Sequence, residues 1–113
     1  MSRPDRLDAM IDDLRDFVRE RDWEQFHDPK NLAMAVASEA GELLSELRWV
    51  RGEDADAHCA DPEARARIAD EIADVAATLL MLVDRIGLDL PAALHAKMQK
   101  NRAKYPAEEH RGR

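Results

Sequence analysis

The sequence predicts an all-α bundle of four main helices, and three observations carry that prediction. Gly is scarce at 4 of 113 residues and aromatics are 4%, while apolar residues make up 45% and charged residues 36%, a balance that suits helices and argues against a sheet. Apolar positions recur at three- and four-residue spacing through four separate stretches. Asp-Pro pairs open two of these stretches and Gly closes two, as helix start and stop signals do.

The first stretch carries Leu7, Met10, Ile11, Leu14, Phe17 and Val18 on one face and predicts a helix over roughly residues 5–21. "DWEQFHDPKN" then reads as a polar connection, in which Asp28 supplies a capping side chain and Pro29 loses nothing as first helical residue. A second helix is predicted from Pro29 to Arg51, with Leu32, Val36, Ala40, Leu43, Leu47 and Val50 toward the core, stopping near Gly52. "GEDADAHCAD", residues 52–61, has no periodicity and reads as a loop. Asp61 and Pro62 repeat the start signal for a long third helix. Its stripe is Ile68, Ile72, Val75, Leu79, Leu82 and Ile86, widened by Ala76, Leu80 and Val83 and ended by Gly87. A fourth helix follows "GLDLP", carries Leu90, Leu94 and Met98, and frays before Pro106, leaving "AEEHRGR" (107–113) as a disordered tail.

Residues 1–113 make a single domain with a modest core, so self-association is expected to complete it. A net charge of −7 disfavours a nucleic acid polymer as partner, and a phosphate ligand would need a cation. The single cysteine, Cys59, excludes an internal disulfide and reads as incidental. The N-terminus interleaves acids with apolar residues, unlike a signal peptide, and "VAATLLMLV" is too short to span a bilayer. The expected location is the cytoplasm, with no membrane partner.

The acids of "EAGELLSELRW" raise the functional question, because Glu39, Glu42 and Glu46 fall within two turns. Glu39 and Glu42 each directly precede a predicted stripe residue, Ala40 and Leu43. Glu71 and Asp74 do the same before Ile72 and Val75. If the third helix folds back antiparallel on the second, all four carboxylates converge along one edge of the interface. Bare carboxylates repel at that range, and an all-oxygen set suits a hard ion such as Mg²⁺, with Mn²⁺ a possible substitute. Either Glu-x-x-acid pair by itself is equally what a solvated acidic helix face produces.

Glu39-x-x-Glu42, 28 residues, then Glu71-x-x-Asp74 resembles the metal motif of the MazG-like all-α nucleoside triphosphate pyrophosphohydrolases. Within that group, "WEQFHDPKNLAMAVASEAGELLSELRW" and "KMQKNRAKYP" resemble the dCTP pyrophosphatases that also act on modified dCTP. The likeness runs from about Phe17 to Pro106. It implies a MazG-like four-helix bundle completed by oligomerisation, with homotetramers built as pairs of dimers. It also implies Mg²⁺-dependent hydrolysis of a nucleoside triphosphate between the α and β phosphates, with Glu39, Glu42, Glu71 and Asp74 as catalytic metal ligands. Nucleotide contacts are implied for Trp23, His27, Trp49, Lys97 and Asn101.

Aromatic faces stack on bases, and an Asn amide both donates and accepts, although a Trp serves more often as a packing anchor. Thr78 departs from the resemblance: the mammalian enzymes have a tyrosine there, one turn after the last motif acid. The reaction type therefore carries over further than base and sugar discrimination does. Arg85 and Lys100 are cations of the kind that approach phosphates or simply face solvent. A di-iron bundle would need Glu-x-x-His on two helices, whereas the chain offers only Glu24-x-x-His27, in a connection. The remaining alternatives are a hydrolase for noncanonical triphosphates or dUTP, which would share the acids and differ in the pocket, and a non-catalytic helical interaction protein.

Overall fold

The computed structural model describes residues 5–112. Six helices run α1 Arg6–Glu20, α2 Pro29–Ser45, α3 Ala55–Ala60, α4 Pro62–Arg85, α5 Leu90–Lys104 and α6 Ala107–His110, with 3-10 turns at Glu24–Phe26 and Gly52–Asp54. There is no strand among the described residues. Residues 1–4 and 113, which bear on the N-terminal reading and the end of the tail, lie outside the described residues.

Four aspartates start the four long helices by accepting backbone N–H bonds. Asp5 accepts from Leu7 at 2.9 Å, Asp28 from Asn31 at 2.8 Å, Asp61 from Ala64 at 3.1 Å and Asp89 from Ala92 at 3.0 Å. Pro29 and Pro62 occupy the first helical position, where a missing N–H leaves no bond unmade. Gly87 closes α4 in the left-handed region at φ 65°, and the Leu88 N–H reaches back to the Val83 carbonyl at 3.0 Å. Asp22 performs the same turn after α1 at φ 55°, with the Trp23 N–H donating to the Val18 carbonyl at 3.1 Å.

Three boundaries differ from the sequence expectation. The second helix ends at Ser45 rather than Arg51, and the chain continues to Val50 in turns whose bonds mostly tighten to three-residue spacing, Glu46 to Leu43, Leu47 to Leu44 and Val50 to Leu47. The expected loop 52–61 contains α3, a turn and a half too short to show periodicity, packed against α4. Ala107–His110 of the expected disordered tail forms one helical turn, with Tyr105 edge-on to His110 at 5.4 Å.

The centre of the fold is the α2–α4 pair. Glu46 meets Arg67, Glu39 meets Glu71 and Asp74, and Leu32 shares a cavity with Leu80, so the two helices run antiparallel. Positions out of full exposure recur at Leu32, Val36, Glu39 and Leu43 on α2, at Glu46 and Val50 in the turns after it, and at Ala64, Ile68, Glu71, Val75, Thr78 and Leu82 on α4. Both sets alternate spacings of four and three, the pattern of helices crossing at a shallow angle. All are buried or half-buried. Glu39 and Glu71 thus occupy the seam itself, while the residues expected there, Ala40 and Ile72, are exposed. The acids do not merely flank the stripe.

The expected third stripe also splits into two. Ile68, Val75 and Leu82 are buried or half-buried, whereas Ile72, Leu79 and Ile86 form an outward line that is 52%, 41% and 53% exposed. A helix apolar on two faces blurs a single-stripe reading. Among the described residues the buried apolar set is small: Val18, Leu32, Ala64, Ile68, Leu80 and Val83. α1 packs on α4, and among the described residues α5 has no extended packing against another element. The radius of gyration is accordingly 17.5 Å, against about 13 Å for a compact chain of this length.

Candidate metal centre and nucleotide site

Each acid reaches the site by a different local route. Glu39 lies midway along α2, seven residues beyond the buried Leu32, and therefore on nearly the same side of the helix. Glu71 lies three residues past the buried Ile68, and Asp74 three further, bringing both to the edge that meets Glu39. One carboxylate oxygen from each of Glu39, Glu71 and Asp74 lies within 4.8 Å of the others. Glu39 and Glu71 are half-buried and Asp74 is exposed, so the cluster opens to solvent on one side.

The electrostatics follow from that crowding. The Glu71 carboxyl is held above its ordinary value, first by burial between the helices and then by the charges of Asp74, Glu42, Glu39 and Glu46. Glu42 lies outside the close trio but near enough to add to this field. Oxygens around a six-coordinate Mg²⁺ stand at about 2.1 Å from the ion and so up to about 4.2 Å apart. The 4.8 Å grouping therefore needs only small side-chain rotations to fit such an ion, and its donors are all hard oxygens.

Glu46 and Arg67 are neighbours that the sequence reading did not assign to the site. Arg67 Nε donates to Glu46 Oε2 at 3.2 Å across the seam, one turn before Glu71 on α4. Spacing could have found Glu46, seven residues after Glu39, but its partner emerges only from the antiparallel register.

The nucleotide candidates are dispersed. Trp23 is 42% exposed and lies edge-on to Phe17 at 5.6 Å, which gives it a packing role on α1 as well as a free face. Trp49 is 85% exposed in the turns after α2, with the Arg48 guanidinium over its ring at 5.4 Å. Lys97 and Asn101 lie one turn apart on α5, which the fold does not bring against the acids within one chain. The Thr78 hydroxyl donates back to the Asp74 and Val75 carbonyls, each at 3.1 Å.

His27 alone among these residues lines a cavity of about 260 Å³ between α1, the Glu24–Phe26 turn and the far end of the α2–α4 pair. Leu14, Val18, Leu32 and Leu80 supply its apolar wall. Arg15, Arg19, Glu24, Asp84 and Arg85 supply charge. Arg85 also reaches the Glu24 carbonyl at 3.5 Å, so at least part of its reach is used within the fold. Arg15 and Asp84 were not anticipated because they are remote in sequence and ordinary on helix surfaces.

Comparison with known proteins agrees with this architecture. A family model described as the MazG-like family matches residues 34–113. The chain is 39% identical to dCTP pyrophosphatase 1 of Bos taurus over 106 residues, covering 90% of this chain and 63% of that protein. It is 38% identical to dCTP pyrophosphatase 1 of Mus musculus over 117 residues, covering 98% and 69% respectively. The chain thus spans less than two thirds of the bovine relative's length. Among solved structures, a pyrophosphatase from Archaeoglobus fulgidus superposes with a TM-score of 0.85 at 34% identity, covering 94% of this chain and 97% of that one. With its acids in the seam of an antiparallel pair and these matches over most of its length, this chain belongs to the MazG-like family.

Proposed function

We propose that residues 1–113 act as one catalytic unit, a Mg²⁺-dependent nucleoside triphosphate pyrophosphohydrolase. It cleaves dCTP or a modified dCTP between the α and β phosphates, yielding dCMP and pyrophosphate, and clears such nucleotides from the cytoplasmic pool. The observation that carries this reading is the convergence of Glu39, Glu71 and Asp74 in a helix seam where apolar residues would otherwise pack. The names of the curated relatives point to the substrate.

In this reading Glu39, Glu42, Glu71 and Asp74 hold the ion. Magnesium there supplies charge neutralisation at phosphate oxygens and a more acidic water nucleophile. The half-buried Glu71 and Glu39 fix the geometry from the seam, and the exposed Asp74 faces the side from which a triphosphate approaches. Trp23, His27, Trp49, Lys97 and Asn101 take the base, sugar and phosphates. A homotetramer, a dimer of dimers, accounts for the thin core, the outward Ile72–Leu79–Ile86 line and the unpartnered α5. Completion by neighbouring copies also gives Trp49, Lys97 and Asn101 a route to a site that one chain leaves open.

A second reading, a broader hydrolase of dUTP or noncanonical triphosphates, draws support from Thr78, whose hydroxyl is occupied by its own helix. Turnover of dCTP, 5-methyl-dCTP, dUTP, dTTP, dATP, dGTP and CTP, with and without Mg²⁺, separates these readings when monophosphate and pyrophosphate are quantified together. Magnesium-dependent release of both, strongest with the cytosine deoxynucleotides and abolished by Glu42→Ala, is expected. Equal turnover across bases would favour the broader enzyme. Absence of turnover in the native protein would leave a non-catalytic helical interaction protein, whose role would tolerate Ala at Glu39 and Asp74.

A further inference from the structure

Asp74, Thr78, Met81 and Arg85 follow one another on α4 at spacings of four, three and four, so they form a line along one face. On α2, Glu39 and Leu32 are likewise seven residues apart. Both helices therefore lead from the acidic cluster to the 260 Å³ cavity, and seven residues at about 1.5 Å of rise each separate the two by about 10 Å. That is the separation a nucleotide needs if its phosphates lie at the acids and its base in the cavity.

The wall of that cavity carries a fixed ion pair. Arg15 Nη2 donates to Asp84 Oδ1 at 2.6 Å and Nε donates to Oδ2 at 3.2 Å, a two-point fork, while Nη1 donates to Asp12 at 3.2 Å. Asp84 holds the guanidinium still more firmly protonated than usual. Two guanidinium N–H groups and a lone pair on each carboxylate oxygen remain unused in this arrangement. The pair also borders a second hollow beside Gly87, so it forms a partition with the base-sized cavity on one side.

Resting on the function proposed above, we infer that the Arg15–Asp84 pair reads the base edge and selects an amino-pyrimidine. Asp84 accepts from the exocyclic 4-amino group of cytosine, and a free Arg15 N–H donates to the adjacent ring acceptor. The fork fixes the order of acceptor and donor, so the same pose of uracil or thymine would bring a carbonyl against the carboxylate and an N–H against the guanidinium. The side chains of the pair are 45% and 32% exposed in the free chain, so discrimination arises where a bound base covers them and the wrong ligand leaves groups unpaired. The two residues come from α1 and α4, and tethering these helices is their alternative role.

The test is the ratio of kcat/KM for dCTP to that for dUTP, measured on the native protein, on Asp84→Asn, and on the double charge swap Arg15→Asp with Asp84→Arg. The swap keeps an ion pair between the helices while reversing donor and acceptor. Thermal melts of all three report tethering separately. A fall in the dCTP/dUTP ratio of about tenfold or more in both variants, carried mainly in KM, is the expected result. An equal loss on both substrates, or an unchanged ratio with a lowered melt, overturns this inference alone and assigns the pair to tethering. Failure of the native protein to hydrolyse any nucleotide removes the function reading and this inference with it.

Discussion

The cavity end of the α2–α4 pair and its middle both place carboxylates at a helix interface, and they resolve the electrostatic cost in different ways. At the cavity end, Asp84 is met by the two-point fork of Arg15. In the middle, Glu39, Glu71 and Asp74 crowd one another, and Arg67, the cation beside them, is engaged by Glu46. Asp84 therefore has its countercharge within the chain. Within the acidic trio the Glu71 carboxyl is held above its ordinary value by burial and by its acidic neighbours, a crowding that a cation from outside would relieve.

The contrast can be broken most sharply at Glu71. Replacement by Gln is expected to lower Mg²⁺-dependent turnover about a thousandfold, equivalent to ~4 kcal/mol of transition-state stabilisation, in a steady-state assay. The same change should leave the thermal melt of the metal-free protein unchanged or raised, because it removes a repulsive charge from the seam. Next in size, Leu80→Ala at the apolar end should cost about 3 kcal/mol of stability by denaturant titration while leaving the Mg²⁺ response intact.

Addition of Mg²⁺ at about a hundred times its dissociation constant should stabilise the native protein by about 2.7 kcal/mol. The corresponding rise in melting temperature should vanish in Glu71→Gln and persist in Asp84→Asn. Away from both places, Asp22→Gly should stabilise the chain by up to about 1 kcal/mol, since a left-handed turn costs a glycine least. The smallest effect is on pH dependence. Glu71 binds its proton more tightly folded than unfolded, so in chelator its contribution is present below its ordinary value of 4.5 and is lost as pH rises through the raised value. Melts in chelator between about pH 4 and about pH 7 should show that loss, and Mg²⁺ should reverse it at the upper end.

Local chemistry was legible from sequence wherever a short-range rule governed it. Asp28-Pro29, Asp61-Pro62 and Gly87 marked helix ends because capping and left-handed geometry involve only a few consecutive residues. The end of α2 was misjudged because the apolar spacing of Leu43, Leu47 and Val50 runs on through turns of mostly three-residue bonding, a change that periodicity does not register. α3 was hidden because six residues are too few to show a period.

The acids were legible as a spaced pattern, yet their position relative to the core was not. Apolar periodicity placed Ala40 and Ile72 inward, whereas the seam takes Glu39 and Glu71, one residue earlier on each helix. A one-residue shift is about 100° of rotation, and α4 has apolar residues on two faces to choose between. Only packing against α2 decides which face is inner.

By itself the sequence determined the helical class, the helix starts and the four acids with their spacing, because these depend on contacts within a turn or two of chain. Tertiary structure alone decided the antiparallel register that sets Glu39 against Glu71 and Asp74, the Glu46–Arg67 pair beside them, and the Arg15–Asp84 fork 69 residues apart in sequence. Those pairings depend on which helix faces meet, and that choice is made by burying Leu32, Ile68, Leu80 and Val83 together rather than by any local signal.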